Sequence, residues 1–219
     1  MSKSRETRPY RSPLRQERAQ ATRQHILEAA RQLFAAHGYV ATTLAAIAGE
    51  AGVAPATVTA IFGTKLALVD ALIKWTVRGD ESQEPLSARP WWLEMLDESD
   101  PRSRLKLYAA NVRRIHQRTT DLFEIVRSAA AAEPELATLR HKLGESHYQD
   151  DRKMAESLVQ RGALQADMRV EYATDLLWAL GSADLYRILV INRSWSPEQY
   201  EKWLAADWIH DLLGQRDTG

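Results

Sequence analysis

The 219-residue chain is predicted to be all-α, a small three-helix head followed by a larger helical body. Three observations carry that reading. Apolar residues return at the 3.6-residue beat of a helix through most of the sequence, as in Ile26, Ala30, Leu33 and Phe34. Residues 44–61 hold, in order, the small, apolar and turn-forming positions that two short crossing helices require. Pro85, Pro90, Pro101, Pro134 and Pro197, with Gly162, divide the remainder into helical lengths.

The elements follow in order. A long amphipathic helix runs to about His37, with Gly38 as its C′ residue and Tyr39 folding back on the last turn. Thr42 or Thr43 caps the next helix. Ala48 is the small residue where two short helices touch, and Gly52 supplies a turn at φ > 0. Ile47, Ala51, Val53, Val58 and Ile61 close the core between them. Phe62-Gly63-Thr64-Lys65 restarts the chain, with Thr64 as N-cap of a fourth helix carrying Leu66, Leu68, Val69, Leu72 and Ile73.

In the body, Leu105, Tyr108, Val112 and Ile115 keep the helical beat up to a polar break at Arg118–Asp121, and Leu122, Phe123 and Val126 resume it. The Ala129–Ala132 run suits a helix. A long helix spans Glu135 to about Arg161, with Asp150-Asp151 read as solvated charge on its polar side. Tyr172 to Ile191 is apolar nearly all round and must be covered on every side. Ser196-Pro197-Glu198-Gln199 is a capping box with Pro at N1, and Trp195 with Tyr200 forms a hydrophobic staple.

Ile26-Leu-x-Ala-Ala30, Leu33-Phe34-x-x-x-Gly38-Tyr39, Thr43-Leu-x-x-Ile47-Ala48, Ala51-Gly52-Val53, Thr57-Val58 and Phe62-Gly63-Thr-Lys65-x-x-Leu68 resemble the amino-terminal domain of the TetR (tetracycline repressor) family of transcriptional regulators. The resemblance covers residues 20–75 closely, and the rest in length and helical layout. Members often carry Tyr after Thr-Val; Thr59 stands there, a shorter hydroxyl in place of an aromatic contact. The expected fold class is thus all-α: an N-terminal three-helix helix-turn-helix DNA-binding domain plus a C-terminal helical ligand-binding and dimerisation domain. Residues 1–15 form a basic arm, 16–82 the head with its connecting fourth helix, and 83–219 the effector-binding and dimerisation domain.

Formal net charge is zero, but the signs are divided. Residues 1–37 hold eight Lys/Arg against three Glu, and residues 81–219 are net acidic. A basic head on an acidic body orients the molecule toward a polyanion. In a helix-turn-helix the second helix enters the major groove. That makes Pro55, Ala56, Thr57 and Thr59, with Ala45 and Ala46 nearby, the expected DNA face. These residues have few donors, so direct base readout per half-site is modest, and phosphate contacts and DNA shape supply much of the binding. Thr43, Thr64 and Lys65 are the expected phosphate contacts; as caps and a solvated lysine they need no DNA at all. Arg5, Arg8 and Arg11 either reach into a minor groove or form a disordered tail.

The expected dimer interface takes Leu177, Gly181, Asp184, Ile188, Trp203, Trp208 and Leu212 from the last two helices; a fully intramolecular bundle is the alternative. A homodimer presents two recognition helices one DNA turn apart, hence a pseudo-palindromic operator in double-stranded DNA. The resemblance further implies a small, mostly apolar or aromatic effector, bound among Trp92, Tyr108, Val112, His116, Phe123, Tyr148 and Trp178, with Asn111, Arg113 and Gln117 for polar orientation. Its differential affinity for two conformations shifts the fourth helix and releases DNA, so that the chain acts most simply as a repressor. A ligand-independent helix-turn-helix protein is the competing reading.

Enzyme readings find no support. Cysteine is absent, which excludes disulfides and thiolate metal sites. The six His show no His-Glu-x-x-His spacing, and neither a phosphate loop nor a Gly-x-Ser-x-Gly elbow occurs. No catalytic residue, metal or cofactor is expected. No apolar run reaches a membrane span, and the Arg-rich start lacks the apolar stretch of a secretory signal. A cytoplasmic location follows as an expectation.

Overall fold

A computed structural model describes residues 13–79 and 84–213. Its elements are α1 (Pro13–Ala41), α2 (Leu44–Glu50), α3 (Pro55–Phe62), α4 (Lys65–Arg78), α5 (Pro90–Asp97), α6 (Pro101–Ala129), α7 (Pro134–Gln160), α8 (Val170–Leu180), α9 (Ala183–Tyr186) and α10 (Pro197–Leu212). A short 3₁₀ turn, Leu86–Ala88, precedes α5, and a π-helical turn, Arg187–Asn192, follows α9. Among the described residues there is no strand, only one isolated bridge between Leu164 and Leu213. The chain divides into two compact units within α4, between Leu72 and Ile73. Residues 13–15, expected in the arm, are the first turn of α1; Arg5, Arg8 and Arg11 lie outside the described residues.

In the first unit, Gly38 at φ 74 breaks the helical run of α1, and the Tyr39 ring stacks on Phe34 with centroids 5.8 Å apart. Ile26, Ala30 and Phe34 of α1 are buried with Ile47 and Ala48 of α2, Val58 and Phe62 of α3 and Leu68 and Leu72 of α4. The Arg23 guanidinium lies 4.5 Å from the centre of the Phe62 ring.

In the second unit the core is made where α6 meets α10 and α7 meets α8. Leu105, Tyr108 and Val112 of α6, Met154 and Leu158 of α7, Leu177 of α8 and Tyr200, Leu204, Trp208 and Leu212 of α10 belong to one buried cluster, which Trp92 and Met95 of α5 complete. Arg104, fully buried, ties three segments together: its guanidinium donates to the Glu98 carbonyl and to the Ser157 carbonyl and hydroxyl at 3.3 and 3.1 Å. Burial, above all, lowers its pKa.

Four expectations about elements change here. α6 runs unbroken through Arg118–Asp121, where Thr119 and Thr120 turn their hydroxyls back to the Ile115 and His116 carbonyls. The alanine run ends that helix instead of extending it: Ala129 is its last residue and Ala130–Ala132 form a turn. The apolar stretch 172–191 is not one helix. α8 stops at Leu180, and Ser182 starts α9 by accepting from the Leu185 N–H at 3.2 Å. At the other end of the body Ser196 caps α10 through the Gln199 N–H at 3.0 Å as expected, but the Trp195 ring packs edge-on against Trp203, one turn beyond Tyr200.

Candidate nucleic-acid interface

The turn between α2 and α3 is built from backbone bonds the sequence makes possible. Gly52, at φ 66, donates to the Gly49 carbonyl at 3.2 Å, and Val53 donates to the Ala48 carbonyl at 3.0 Å. This is a Schellman closure, in which a left-handed residue satisfies the last orphan carbonyls of a helix. It sends the chain off at 113° between α2 and α3. Pro55 then opens α3 at its first position, where a missing N–H costs nothing.

α3 has two faces. Val58 and Phe62 are buried, while Pro55, Ala56, Thr59 and Ala60 are exposed and Thr57 is half-buried. The expected reading face is therefore on the surface, with Ala45 and Ala46 of α2 exposed as well. Ala60, which sequence reasoning left out, extends that face by another turn; its i+4 spacing from Ala56 is the signal. Thr59 donates its hydroxyl to the Pro55 carbonyl at 3.3 Å, so its methyl and the oxygen's lone pairs remain for a partner.

The expected phosphate contacts separate into two kinds. Thr43 and Thr64, both exposed, accept from the Ala46 and Ala67 N–H groups at 3.1 Å and so cap α2 and α4. Thr42 does not cap; it is buried and donates to the Gly38 and Leu33 carbonyls at 2.8 and 3.2 Å. Lys65 corrects the sequence expectation. Its ammonium is turned inward, donating to the carbonyls of Tyr39 at 2.9 Å, Thr42 at 3.0 Å and Val40 at 3.5 Å, 4.1 Å from the centre of the Tyr39 ring. Carbonyls of the turn past the break at Gly38 take its donors, so this lysine clamps α4 to the end of α1.

In the second unit the expected interface and pocket residues fall in different surroundings. Of the expected interface residues, Leu177, Trp208 and Leu212 are wholly buried in the subunit's own core and offer nothing to a partner. Gly181 is buried too. A Cβ there would come within 2.8 Å of the Leu177 carbonyl and 3.0 Å of the Trp208 ring, so the close approach it permits is intramolecular. Trp203 is half-buried against Trp195 and Tyr200. Asp184 and Ile188 are exposed, Asp184 pairing with Arg140 at 3.1 Å.

Of the expected pocket residues, Trp92, Tyr108, Val112 and His116 are buried. Tyr108 lies between Trp92, edge-on at 5.7 Å, and Trp208, stacked at 5.3 Å. Phe123 is half-buried. Tyr148 and Trp178 meet edge-on at 6.3 Å near the surface, with Trp178 42% exposed. Arg113 is drawn into an ion pair with Glu201 at 2.9 Å and a bond to Gln117 at 3.0 Å, and Asn111 points to the Met95 sulfur. Two grooves of the body are lined by other residues: one by Arg102, Lys106, Lys202 and Ile209, the other by Met168, Tyr172 and Leu176, with His210 bordering both.

Asp151 was missed. It is wholly buried, accepts from the Tyr108 hydroxyl at 2.7 Å and lies 3.4 Å from His147 Nε2. Burial is the main cause that raises its pKa from 3.8 to about 6. Its spacing from His147, Met154 and Leu158 puts it on the core face of α7, a signal that its neighbour Asp150 masked. His116 donates from Nε2 to the Gly181 carbonyl at 2.7 Å, the group freed by the break after α8. Desolvation lowers its pKa to about 4, so the ring is neutral and this bond sets its tautomer.

An exposed small-residue helix held at a steep angle by a Schellman turn defines the class, a helix-turn-helix DNA-binding protein. Residues 26–72 match the family described as bacterial regulatory proteins, tetR family. Those residues are similar to the DNA-binding domain of that family. Among solved structures the chain is similar to NalD, the secondary repressor of the MexAB-OprM multidrug efflux pump in Pseudomonas aeruginosa. That likeness has TM-score 0.69 at 21% identity over 90% of this chain and 100% of NalD. It is similar also to a TetR-family regulator from Syntrophomonas wolfei, with TM-score 0.72 at 16% identity over 91% and 99%. A transcriptional regulator from Saccharomonospora viridis in complex with choline gives TM-score 0.64 at 21% identity over 90% and 100%. No curated protein sequence matches the chain. Among the described residues no single helix is long and apolar enough to cross a membrane.

Proposed function

We propose that the protein is a cytoplasmic, effector-responsive repressor that binds a pseudo-palindromic operator as a homodimer, and that it is not an enzyme. The observation that carries the DNA half is the exposed face of α3, Pro55, Ala56, Thr59 and Ala60, presented by a turn that two backbone bonds close. With so few donors on this face, helix-terminal N–H groups at the starts of α2 and α4 supply much of the affinity, beside Thr43 and Thr64. Ala56→Glu tests this directly. The site is exposed and helical, so the fold is retained, but a carboxylate facing phosphates is expected to weaken operator binding by roughly a hundredfold or more. Unchanged affinity in a gel-shift titration would remove α3 from the interface.

The dimer half rests on exposed apolar side chains in consecutive elements: Tyr172 and Trp178 of α8, and Ile188 and Ile191 just beyond α9, are each 42% exposed or more. Buried against a second copy, they would form the isologous interface together with Asp184. The effector half is supported by the buried polar cluster of the body and by the structural neighbour that holds choline. A route to α4 exists on α6. Arg118 donates to the Thr76 and Val77 carbonyls at 3.2 and 2.8 Å and packs on Gly79, so movement of α6 is passed to the last turn of α4. A ligand that favours one arrangement of α6 then shifts the population of DNA-competent molecules by its differential affinity.

A further inference from the structure

Asp151 is placed where a carboxyl group is costly. It is wholly buried, its Oδ1 accepts the Tyr108 hydroxyl, and its Oδ2 has no hydrogen-bond partner; His147 Nε2, 3.4 Å away, forms an ion pair with it only when the imidazole is protonated. Asn or Leu would pack there at less cost, because an incompletely paired buried carboxylate is unfavourable. Around it the rings are continuous. Tyr108 stacks on Trp208, and His116 lies 6.4 Å from His147 and 5.3 Å from Tyr186, which meets Tyr200 edge-on at 4.9 Å. Two more buried polar atoms in this cluster, Trp208 Nε1 and His116 Nδ1, also lack partners. Several orphaned polar atoms converging in one core are uncommon and call for a specific cause.

The two acceptors of this set, Asp151 Oδ2 and His116 Nδ1, call for a positive charge bringing its own N–H; the Trp208 indole is a donor and is not served by it. An ammonium N–H completes Oδ2, and aromatic rings attract cations most strongly where water is excluded. The groove lined by Arg102, Lys106 and Lys202, whose carboxylate Glu201 is already paired with Arg113, would repel the same charge. We propose that the Asp151 cluster binds the effector, and that this effector is a small organic amine in its ammonium form, carrying an apolar or aromatic body. The assignment rests on the effector-responsive reading of the body and narrows it to one chemical class.

The test is calorimetric titration of the full-length protein with phenethylamine, N,N-dimethylphenethylamine, phenethyl alcohol and phenylacetate at about pH 8, where the amines are largely charged. Both amines are expected to bind at least about tenfold more tightly than the alcohol, and the acid not at all. Asp151→Asn is expected to weaken the amines by about tenfold or more and to leave the alcohol within about twofold. Equal affinity for amine and alcohol, preference for the acid, or no amine binding would overturn the assignment; these comparisons need only the wild-type chain, so they stand if the Asn variant does not fold. The same four probes are then added to the protein–operator complex. Release by the alcohol or the acid alone would reject the amine while keeping an effector-responsive repressor. Failure of a broad compound panel to release DNA would reject the effector reading and this assignment with it.

Discussion

The two units put their polar groups to different uses. In the head, Thr43 and Thr64 cap helices, Thr42 and Lys65 close the carbonyls past Gly38, and Gly52 and Val53 complete the turn. Each bond fixes one local conformation. In the body, Asp151, His116 and Trp208 each bury an atom with no partner, an arrangement that typically costs about 1–3 kcal/mol per group. The head is organised to present one surface without change. The body keeps unpartnered polar atoms at its centre, which the proposed effector would in part satisfy.

The contrast can be broken most forcefully at Trp208. Its indole is fully buried and stacks on Tyr108, so Trp208→Ala is expected to cost about 3–5 kcal/mol, read as a lower denaturation midpoint. A loss under about 1 kcal/mol would mean the core is far looser than its burial implies. Lys65→Met comes next and tests the head. Losing three donors to carbonyls is expected to destabilise the head by about 1–3 kcal/mol and to lower affinity for every operator alike. The slope of log affinity against log salt is expected to stay unchanged, whereas loss of a phosphate contact would reduce it by about one.

The smallest effect concerns pH. The Asp151 carboxyl titrates at about 6 in the fold against an ordinary 3.8, so the native state binds more protons between those values, and stability falls as pH rises from about 4 to about 6. His116 has the opposite sign. Its imidazole titrates at about 4 against 6.5, so the unfolded chain binds more protons, and stability rises from about pH 4 to about 6.5. The two largely cancel in the wild type. Asp151→Asn should therefore reveal a steeper gain of stability with rising pH in chemical denaturation; a profile as flat as that of the wild type would show that His116 is not held neutral.

What was legible in the sequence follows the same division. Caps, Schellman turns and Pro starts are decided by residues within a few positions, so α2, α3 and the restart at Thr64 could be placed from the chain alone. Which side of an all-apolar stretch meets its own core is a long-range matter. Gly181 does mark a close approach, but its partner is Trp208 in the same subunit, and no local pattern names that partner. The break after Leu180 depends likewise on His116, far away in sequence, accepting the role of donor to the Gly181 carbonyl. Lys65 reads as a surface cation until the bend at Gly38 brings three carbonyls to it.

The central claim is that α3 is a reading helix for duplex DNA. Selection of bound fragments from the source genome with the full-length protein, followed by footprinting, tests it most directly. Enrichment of a pseudo-palindromic site with two protected half-sites about one helical turn apart, lost in Ala56→Glu, is the predicted result. Fragments recovered without common sequence, or protection that survives Ala56→Glu, would contradict it.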